Sequence, residues 1–488
     1  MSKFESITGK VYYAGISIVL ISFFALFSIR AHVYEYIIAG SVLLLLVFLS
    51  KRWNLSKTEF EAEDRWIQIK IWLITFISRM VYCTFVNDKL TQRNDFEILL
   101  SEAGSGRFID QLEYYRIYAH KLLFPLILHK LHFRNQMSIY LAQCVIMGLC
   151  SVLIYGLGKM LLDEKGARIA ALIYIIWPGQ LIYAGIITEE HVAALLTLFL
   201  IWGLFKIIGK VEEKELEKKD FKRIGLYSVL LGCVFGLSCF FKDWGVIILV
   251  ASLISLLWLI PHIKWMKNRL FILAMLLIFI LMRSVVSSVI LSHSEKILGA
   301  SVGNNVVVAQ MYATLDPNTT GEYNEQGNNE YYQIVSKHNY NYKEANAEAI
   351  SILKGRILAD LEKMPKFLIS KGVTAYVDDA SLLFWGLVTS AKDDETFYIY
   401  RAIIQILWHL SILFYAIVVL LVIIGGVVKP NNRKTFLAIC IVGAICVSLL
   451  IENHGRYKYS IEPVWCLLAS AGLKNLFELK KEFENSTS

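Results

Sequence analysis

Two adjoining stretches decide the fold: WIQIKIWLITFISRMVYCTFV (66–86) and TQRNDFEILLSEAGSGR (91–107). The first is apolar and long enough, as a helix, to cross a bilayer. The second is polar, follows it almost at once and carries Asp95. A carboxylate at that place stands where water, lipid headgroups and a reacting hydroxyl meet. The pairing implies a membrane scaffold that holds this loop and other segments around one cavity.

Working outward, composition supports the scaffold. The chain has 488 residues, 56% hydrophobic and 18% charged, with a mean hydropathy of +0.53. That is too apolar for a soluble globular protein and fits a polytopic membrane protein. Only seven prolines and unbroken Leu/Ile/Val runs favour an all-α fold over a barrel, whose strands alternate in short segments. At about 20 apolar residues per crossing, twelve transmembrane helices are expected: 11–30, 34–50, 66–86, 138–159, 168–187, 190–208, 224–241, 245–261, 269–291, 400–427, 434–451 and 459–475.

Lys and Arg gather at 51–57, 159–168, 206–223, 264–269, 429–434 and 474–481, and alternate threading puts every cluster on one side. The positive-inside rule makes that side cytoplasmic, with both termini. The formal charge of +8 follows from these loops and gives no reason to expect nucleic acid. The first apolar run has no small-residue cleavage site and is followed by a second span, so no cleavable signal is expected. The eight cysteines lie in or beside apolar runs without metal-ligand spacing and read as packing residues.

The outer face then receives 87–137, the turn Thr188-Glu189-Glu190, Lys242-Asp243-Trp244, 452–460 and a long stretch from 292 to 399. Within the first, 108–133 reads as helices in the interface. The long stretch is Asn- and Tyr-rich, then helical over 343–371, and reads as a partly helical outer-face domain. The expected organisation is a hairpin and linker at 1–65, a core at 66–291, the outer domain at 292–399 and C-terminal spans at 400–488.

Polar groups on that face are the candidates for chemistry. Asp95 fits a general base, with helix capping beside Asn94 as the plain alternative. Glu189 and Glu190, in a short turn between apolar runs, would orient an acceptor, share a divalent cation with Asp95, or cap the next helix. Lys242 and Arg456 are cations placed to meet a lipid phosphate, or to snorkel to headgroups. Arg283, inside a span, would add a phosphate contact or pair with a buried carboxylate. Asp378, Asp379, Asp393 and Asp394 read as solvated loop carboxylates.

In order, the motifs resemble those of the GT-C integral-membrane glycosyltransferases that use polyprenyl-phosphate sugars, the group of the protein O-mannosyltransferases and the aminoarabinose transferase. The likeness spans about 66–475. An acidic loop and helix appear as NDFEILLSEA (94–103), a P-x-x-h-Y segment and acidic turn as WPGQLIY (177–183) and TEE (188–190). A turn ending in a cation appears as GLSCFFK (236–242), and an R-Y segment opening the last span as RYKYSIEP (456–463). The chain departs from the pattern in having Asn94-Asp95 for an acidic pair and Lys242 for the commoner Arg.

The resemblance implies transfer of one sugar from a polyprenyl phosphate to an acceptor hydroxyl of a cell-surface glycopolymer, lipid or protein, with inversion, on the outer face of the cell membrane. Asp95 would be the base, Glu189 or Glu190 would position sugar or acceptor, and Lys242, Arg456 and Tyr457, with Arg283, would bind the donor. A flippase for lipid-linked saccharide and a polysaccharide polymerase are the alternatives. The first predicts internal repeats and the second arginine-rich outer loops; neither pattern is evident.

Overall fold

Apolar runs without interior proline become helices because a segment in lipid must satisfy its own backbone hydrogen bonds. The computed structural model describes residues 62–487 apart from 88, 214, 216, 243, 260–264, 304–305, 320, 323, 378, 389–392, 429–430 and 453–454. The fold is 85% helix, without strands among the described residues. The expected spans 11–30 and 34–50 lie outside the described residues, as do Asp243 and Asp378.

In chain order the helices are α1 Ala62–Val86, α2 Asp95–Ser105, α3 Leu112–Ile117, α4 His120–Lys130, α5 Gln136–Leu161, α6 Glu164–Ile176, α7 Pro178–Ile182, α8 Glu190–Glu213, α9 Lys218–Phe241 and α10 Trp244–Leu259. They continue with α11 Met266–Leu298, α12 Val306–Thr314, α13 Glu325–Lys337, α14 Tyr342–Ala359, α15 Met364–Tyr376, α16 Ala380–Leu383, α17 Asp394–Val427, α18 Asn432–Leu450 and α19 Glu462–Thr487. Seven of those described are long and apolar enough to cross a membrane: α1, α5, α8, α9, α11, α17 and α18. Helix α6 and the segment Pro178–Gly185 are long and apolar enough only when taken together, and they are bent by 57°, as a broken span or a re-entrant loop is.

The expected twelve is therefore not reached among the described residues. The 245–261 region is α10, only 16 residues long. The 459–475 region opens as a 3-10 turn, Gly455–Ser460, and its helix α19 runs on into the charged residues after Lys474. Helix α11 also crosses the expected domain boundary at 291/292, and α17 that at 399/400.

The bend has a local cause. Pro178 lacks an N–H and cannot continue the ladder of α6. Arg79 of α1, fully buried, donates Nη1 to Ile175 O and Nη2 to Tyr174 O, both at 2.8 Å. It thereby satisfies carbonyls that the break leaves open.

Helices α17 and α19 cross with their backbones in contact. A Cβ on Gly425 would lie 1.9 Å from Leu468 O, and one on Gly472 1.9 Å from Leu421 O; only glycine permits that approach. Trp177, Tyr415, Phe205 and Phe436 fill the core around them. By contrast, α1 exposes Leu73, Ile77 and Val81, and α11 exposes Leu277, Leu281 and Val289. Such apolar faces suit lipid.

Helices α12 to α15 form a cap on one end of the spans. Tyr312, Tyr331, Val335, Ala345 and Ala349 make its small core, and Arg356 pairs with Glu330 at 2.6 Å. It docks on the chain around α3, where Tyr342 Oη donates to Arg116 O at 2.5 Å and Tyr118 Oη to Asn328 Oδ1 at 3.3 Å. It also docks on the end of α18, where Lys371 Nζ donates to Ile451 O at 2.6 Å.

Candidate active site

Asp95 is the first residue of α2. Asn94, at the N-cap with φ 54°, makes no side-chain capping bond. The short loop after α1 so presents the Asp95 side chain, 37% exposed, to a cavity of about 560 Å³ between the spans and the cap.

Three walls of different chemistry enclose this cavity. Charged groups come from five places in the sequence: Asp95, Lys121 of α4, Lys242 after α9, Glu452 after α18, and Arg456 of the 3-10 turn. Amides and phenols come from the α3–α4 region and the cap: Tyr114, Tyr118, Gln310, Asn328, Asn329 and Tyr332. An apolar flank comes from Phe240 and Phe241 of α9, Val307 of α12, and Val447 and Ile451 at the end of α18.

Arg456 lies across from Asp95, with Nη2 3.7 Å from Oδ2. Its guanidinium stacks over Trp385 at 4.6 Å, Phe96 at 5.0 Å and Tyr457 at 5.4 Å. These rings fix a flat, permanently charged donor without using its hydrogen bonds. Burial, with Glu452 nearby, pushes the Tyr457 phenol well above its ordinary range, so it acts as a neutral donor.

Glu189 and Glu190 are 1% and 3% exposed and stand behind the lysines, off the cavity wall. Lys121 Nζ contacts Glu189 Oε1 at 2.5 Å. Lys242 Nζ is 3.2 Å from Glu190 Oε1, whose other oxygen accepts from Tyr183 Oη at 2.7 Å. Burial alone would raise the Glu189 pKa, but Lys121 and Lys242 outweigh it and hold the carboxyl well below the usual range. Lys121 answers in kind: burial would lower it, Glu189 and Asp95 raise it, and the net direction is upward. Both groups of that pair are charged near neutral pH.

The sequence candidates therefore separate. Asp95, Lys242, Arg456 and Tyr457 are brought together on one wall. Glu189 and Glu190 are second to the lysines and are occupied by them, which leaves little room for the shared cation considered from sequence. Among the described residues no group of three His, Cys, Asp or Glu side chains is arranged to hold a metal. Arg283 lies on the exposed side of α11, away from the cavity. Asp379 is not a solvated loop residue, being fully buried.

Sequence reasoning missed Lys121 and the cap residues. A signal existed for Lys121: it sits in the first turn of α4, where the helix dipole disfavours a cation, so a carboxylate partner was to be expected. No comparable signal marks Asn328 or Tyr332, which reach the cavity only because the cap docks there. Glu102 of α2 is another buried carboxyl, 4% exposed; burial, then Asp110, pushes it up to about 8.

A helical membrane protein with a charged cavity at the ends of its spans is the class that fold and site define. Residues 123–287, about a third of the chain, match the family model described as dolichyl-phosphate-mannose-protein mannosyltransferase. The resemblance to GT-C glycosyltransferases read from the motifs is borne out over that segment. No curated protein sequence matches the chain.

Among solved structures, the oligosaccharyltransferase of Archaeoglobus fulgidus in its apo form is similar at 14% identity and a TM-score of 0.45, over 86% of this chain and 52% of that one. AglB from Archaeoglobus fulgidus, in complex with an inhibitory peptide and a dolichol-phosphate, is similar at 14% identity and a TM-score of 0.42, with the same shares covered. The chain spans about half the length of these proteins. Likenesses of this size decide neither fold nor reaction.

Proposed function

We propose that this protein is a membrane glycosyltransferase that moves a single sugar from a polyprenyl-phosphate donor to an acceptor hydroxyl on the outer face of a cell membrane, with inversion. One observation carries the reading: Asp95, Lys121, Lys242 and Arg456 line a single cavity that also has an apolar flank and a wall of amides and phenols. The flank suits the first isoprene units, the cations suit the phosphate, and the amide and phenol wall suits a sugar ring. The match to a family named for a dolichyl-phosphate mannose donor supports the same donor class.

In the proposed step the acceptor oxygen forms a bond to the anomeric carbon as the bond from that carbon to the phosphate oxygen breaks. Asp95 takes the acceptor proton. The leaving lipid phosphate gains one negative charge while Asp95 loses one, so the site changes no net charge. Arg456 and the two lysines stabilise the charge that grows on the phosphate. Glu189 and Glu190 position the reactants indirectly, by holding Lys121 and Lys242 extended beneath the cavity.

The test is single-turnover sugar release from a panel of radiolabelled polyprenyl-phosphate hexoses, with wild type and Asp95→Asn in parallel and native membrane extract as acceptor source. Release by wild type with a loss of about a hundredfold or more in the variant supports the base. Equal rates remove Asp95 from that role. The bent span formed by α6 and α7 favours a second reading, a flippase, since broken helices recur at transport sites. Movement of labelled lipid across vesicles with no donor consumed would establish that reading instead.

A further inference from the structure

We propose that Gln92 is a positioning residue, a buried amide that sets the loop bearing Asp95 against the turn that holds the two lysines. Between the 3-10 turn Tyr183–Gly185 and helix α8 the chain runs through 186–189 without a helix. Ile186 is extended, at φ −105° and ψ 130°, and every residue from 182 to 190 is buried. No strand among the described residues pairs with this segment. Its buried backbone groups must still be satisfied, and side chains take over the task.

Two glutamines do so in the same way. Gln92 Nε2 donates to Gly185 O at 3.0 Å, and its Oε1 accepts from the Ile187 N–H at 3.0 Å. Gln143 Nε2 donates to Ile186 O at 2.8 Å, and its Oε1 accepts from the Thr188 N–H at 3.1 Å. In extended backbone, alternate residues turn their N–H and C=O toward opposite edges. Gln92 therefore grips one edge of the segment and Gln143 the other, each as a neighbouring strand would. Tyr140 Oη donates to Gly185 O at 2.8 Å and accepts the second N–H of Gln92 at 3.0 Å. Both glutamines and Tyr140 are buried, so water does not share these bonds.

The two glutamines differ in what else they carry. Gln143 belongs to the long helix α5. Gln92 belongs to the loop before α2, three residues ahead of Asp95, and Gln136 Nε2 holds the same loop at Asn87 O and Leu90 O, at 3.3 and 3.4 Å. On the far side, the gripped segment leads straight into Glu189 and Glu190, with Glu190 N donating to Thr188 Oγ1 at 3.3 Å. Those carboxylates hold Lys121 and Lys242. One side chain thus spans the distance between the base and its cations. Without it the Asp95 loop can shift against the lysines, and a displacement of about 1 Å in a reacting group costs on the order of a hundredfold in rate. That consequence rests on the glycosyl-transfer reading; the clamp itself does not.

The first experiment is hydrogen–deuterium exchange of the purified full chain, read by mass spectrometry, for wild type, Gln92→Met and Gln143→Met. Methionine keeps the length of the side chain and removes the amide. Gln92→Met is expected to speed exchange in both 91–98 and 185–190, and Gln143→Met in 185–190 alone. Unchanged exchange at 91–98 in Gln92→Met would overturn the clamp. Gln92→Asn, which keeps the amide and shortens its reach by one methylene, repeats the comparison with less disturbance of the packing.

Sugar release in a double-mutant cycle is the second readout. Gln92→Met is expected to slow release by about tenfold or more in wild type, and by about threefold or less in Asp95→Asn, where no base is left to aim. Gln143→Met is expected to cost the same factor in both backgrounds. Full additivity of Gln92→Met with Asp95→Asn removes the positioning role and leaves the reaction assignment untouched. The exchange pattern without any sugar transfer rejects the reaction and upholds the clamp.

Discussion

Asp95 and Glu189 are both carboxylates beside cations in one site, and their surroundings make them opposites. Asp95 opens a short amphipathic helix, is more than a third exposed and meets Arg456 at 3.7 Å, longer than a hydrogen bond. Glu189 ends a broken span, is buried and is bonded to Lys121 at 2.5 Å. On the proposed reading the Asp95 carboxylate takes a proton from an acceptor hydroxyl in the cavity, whereas the Glu189 carboxylate is committed to holding a cation. The difference teaches that a general base is chosen by what is left unoccupied around it, more than by residue type.

The sharpest way to break this comparison is to neutralise both carboxylates in turn. Asp95→Asn is expected to lose about 10²–10⁴ in the rate of sugar release while its stability stays within roughly 0.5 kcal/mol of wild type. Glu189→Gln is expected to do the reverse in kind. It strands a buried ammonium, so unfolding in denaturant should show a loss of about 3 kcal/mol. Glu189→Gln combined with Lys121→Met should recover most of that stability, while the rate of sugar release falls because the Lys121 charge is gone from the cavity. An Asp95 variant that melts early, or a Glu189 variant as stable as wild type, would reverse the roles assigned to the two residues.

Protonation sharpens the same contrast. The Glu189 pKa is lower in the folded protein than in the unfolded chain, so its pair contributes stability above the ordinary Glu range, near pH 4.3. That contribution fades only as pH falls below it. Glu102 runs the other way. Its folded value near 8 lies above the unfolded one, so the folded protein holds a proton that the unfolded chain has lost, and stability declines as pH rises from about 4.3 to 8. Glu102→Gln should therefore gain on wild type across that window, by on the order of 1–3 kcal/mol at pH 8. Thermal melts at pH 5 and pH 8 read the gap directly.

The smallest effect is expected at Arg283. It was a phosphate candidate in the sequence, but it stands on the exposed side of α11, and its removal by Arg283→Ala should change sugar release by less than about twofold. A large loss there would mean that the donor reaches the outside of the α9/α11 pair.

Parts of this were legible in one dimension. The apolar runs that became α1, α5, α8, α9, α17 and α18 were visible because a bilayer demands continuous hydrophobic length. Asp95, Lys242 and Arg456 were visible because each charge interrupts or borders such a run. The bend at Trp177-Pro178 fell inside an expected straight span; the end of its first half is capped by Arg79 from another helix, a contact with no sequence spacing. Asp379 looked like a loop carboxylate because its partners, Trp177, Ser411 and Lys458, are remote in the chain.

The sequence by itself determined an all-helical membrane architecture and the ends of the runs where charge is tolerated, because burial cost in lipid acts residue by residue. Tertiary structure decided which charges meet. Glu189 was assigned to Lys121, Glu190 to Lys242 and the mouth of the cavity to Asp95 only when α4, α9 and the Gly455–Ser460 turn converged. The physical reason is that pairing depends on distances between segments tens to hundreds of residues apart, and no local pattern encodes those distances.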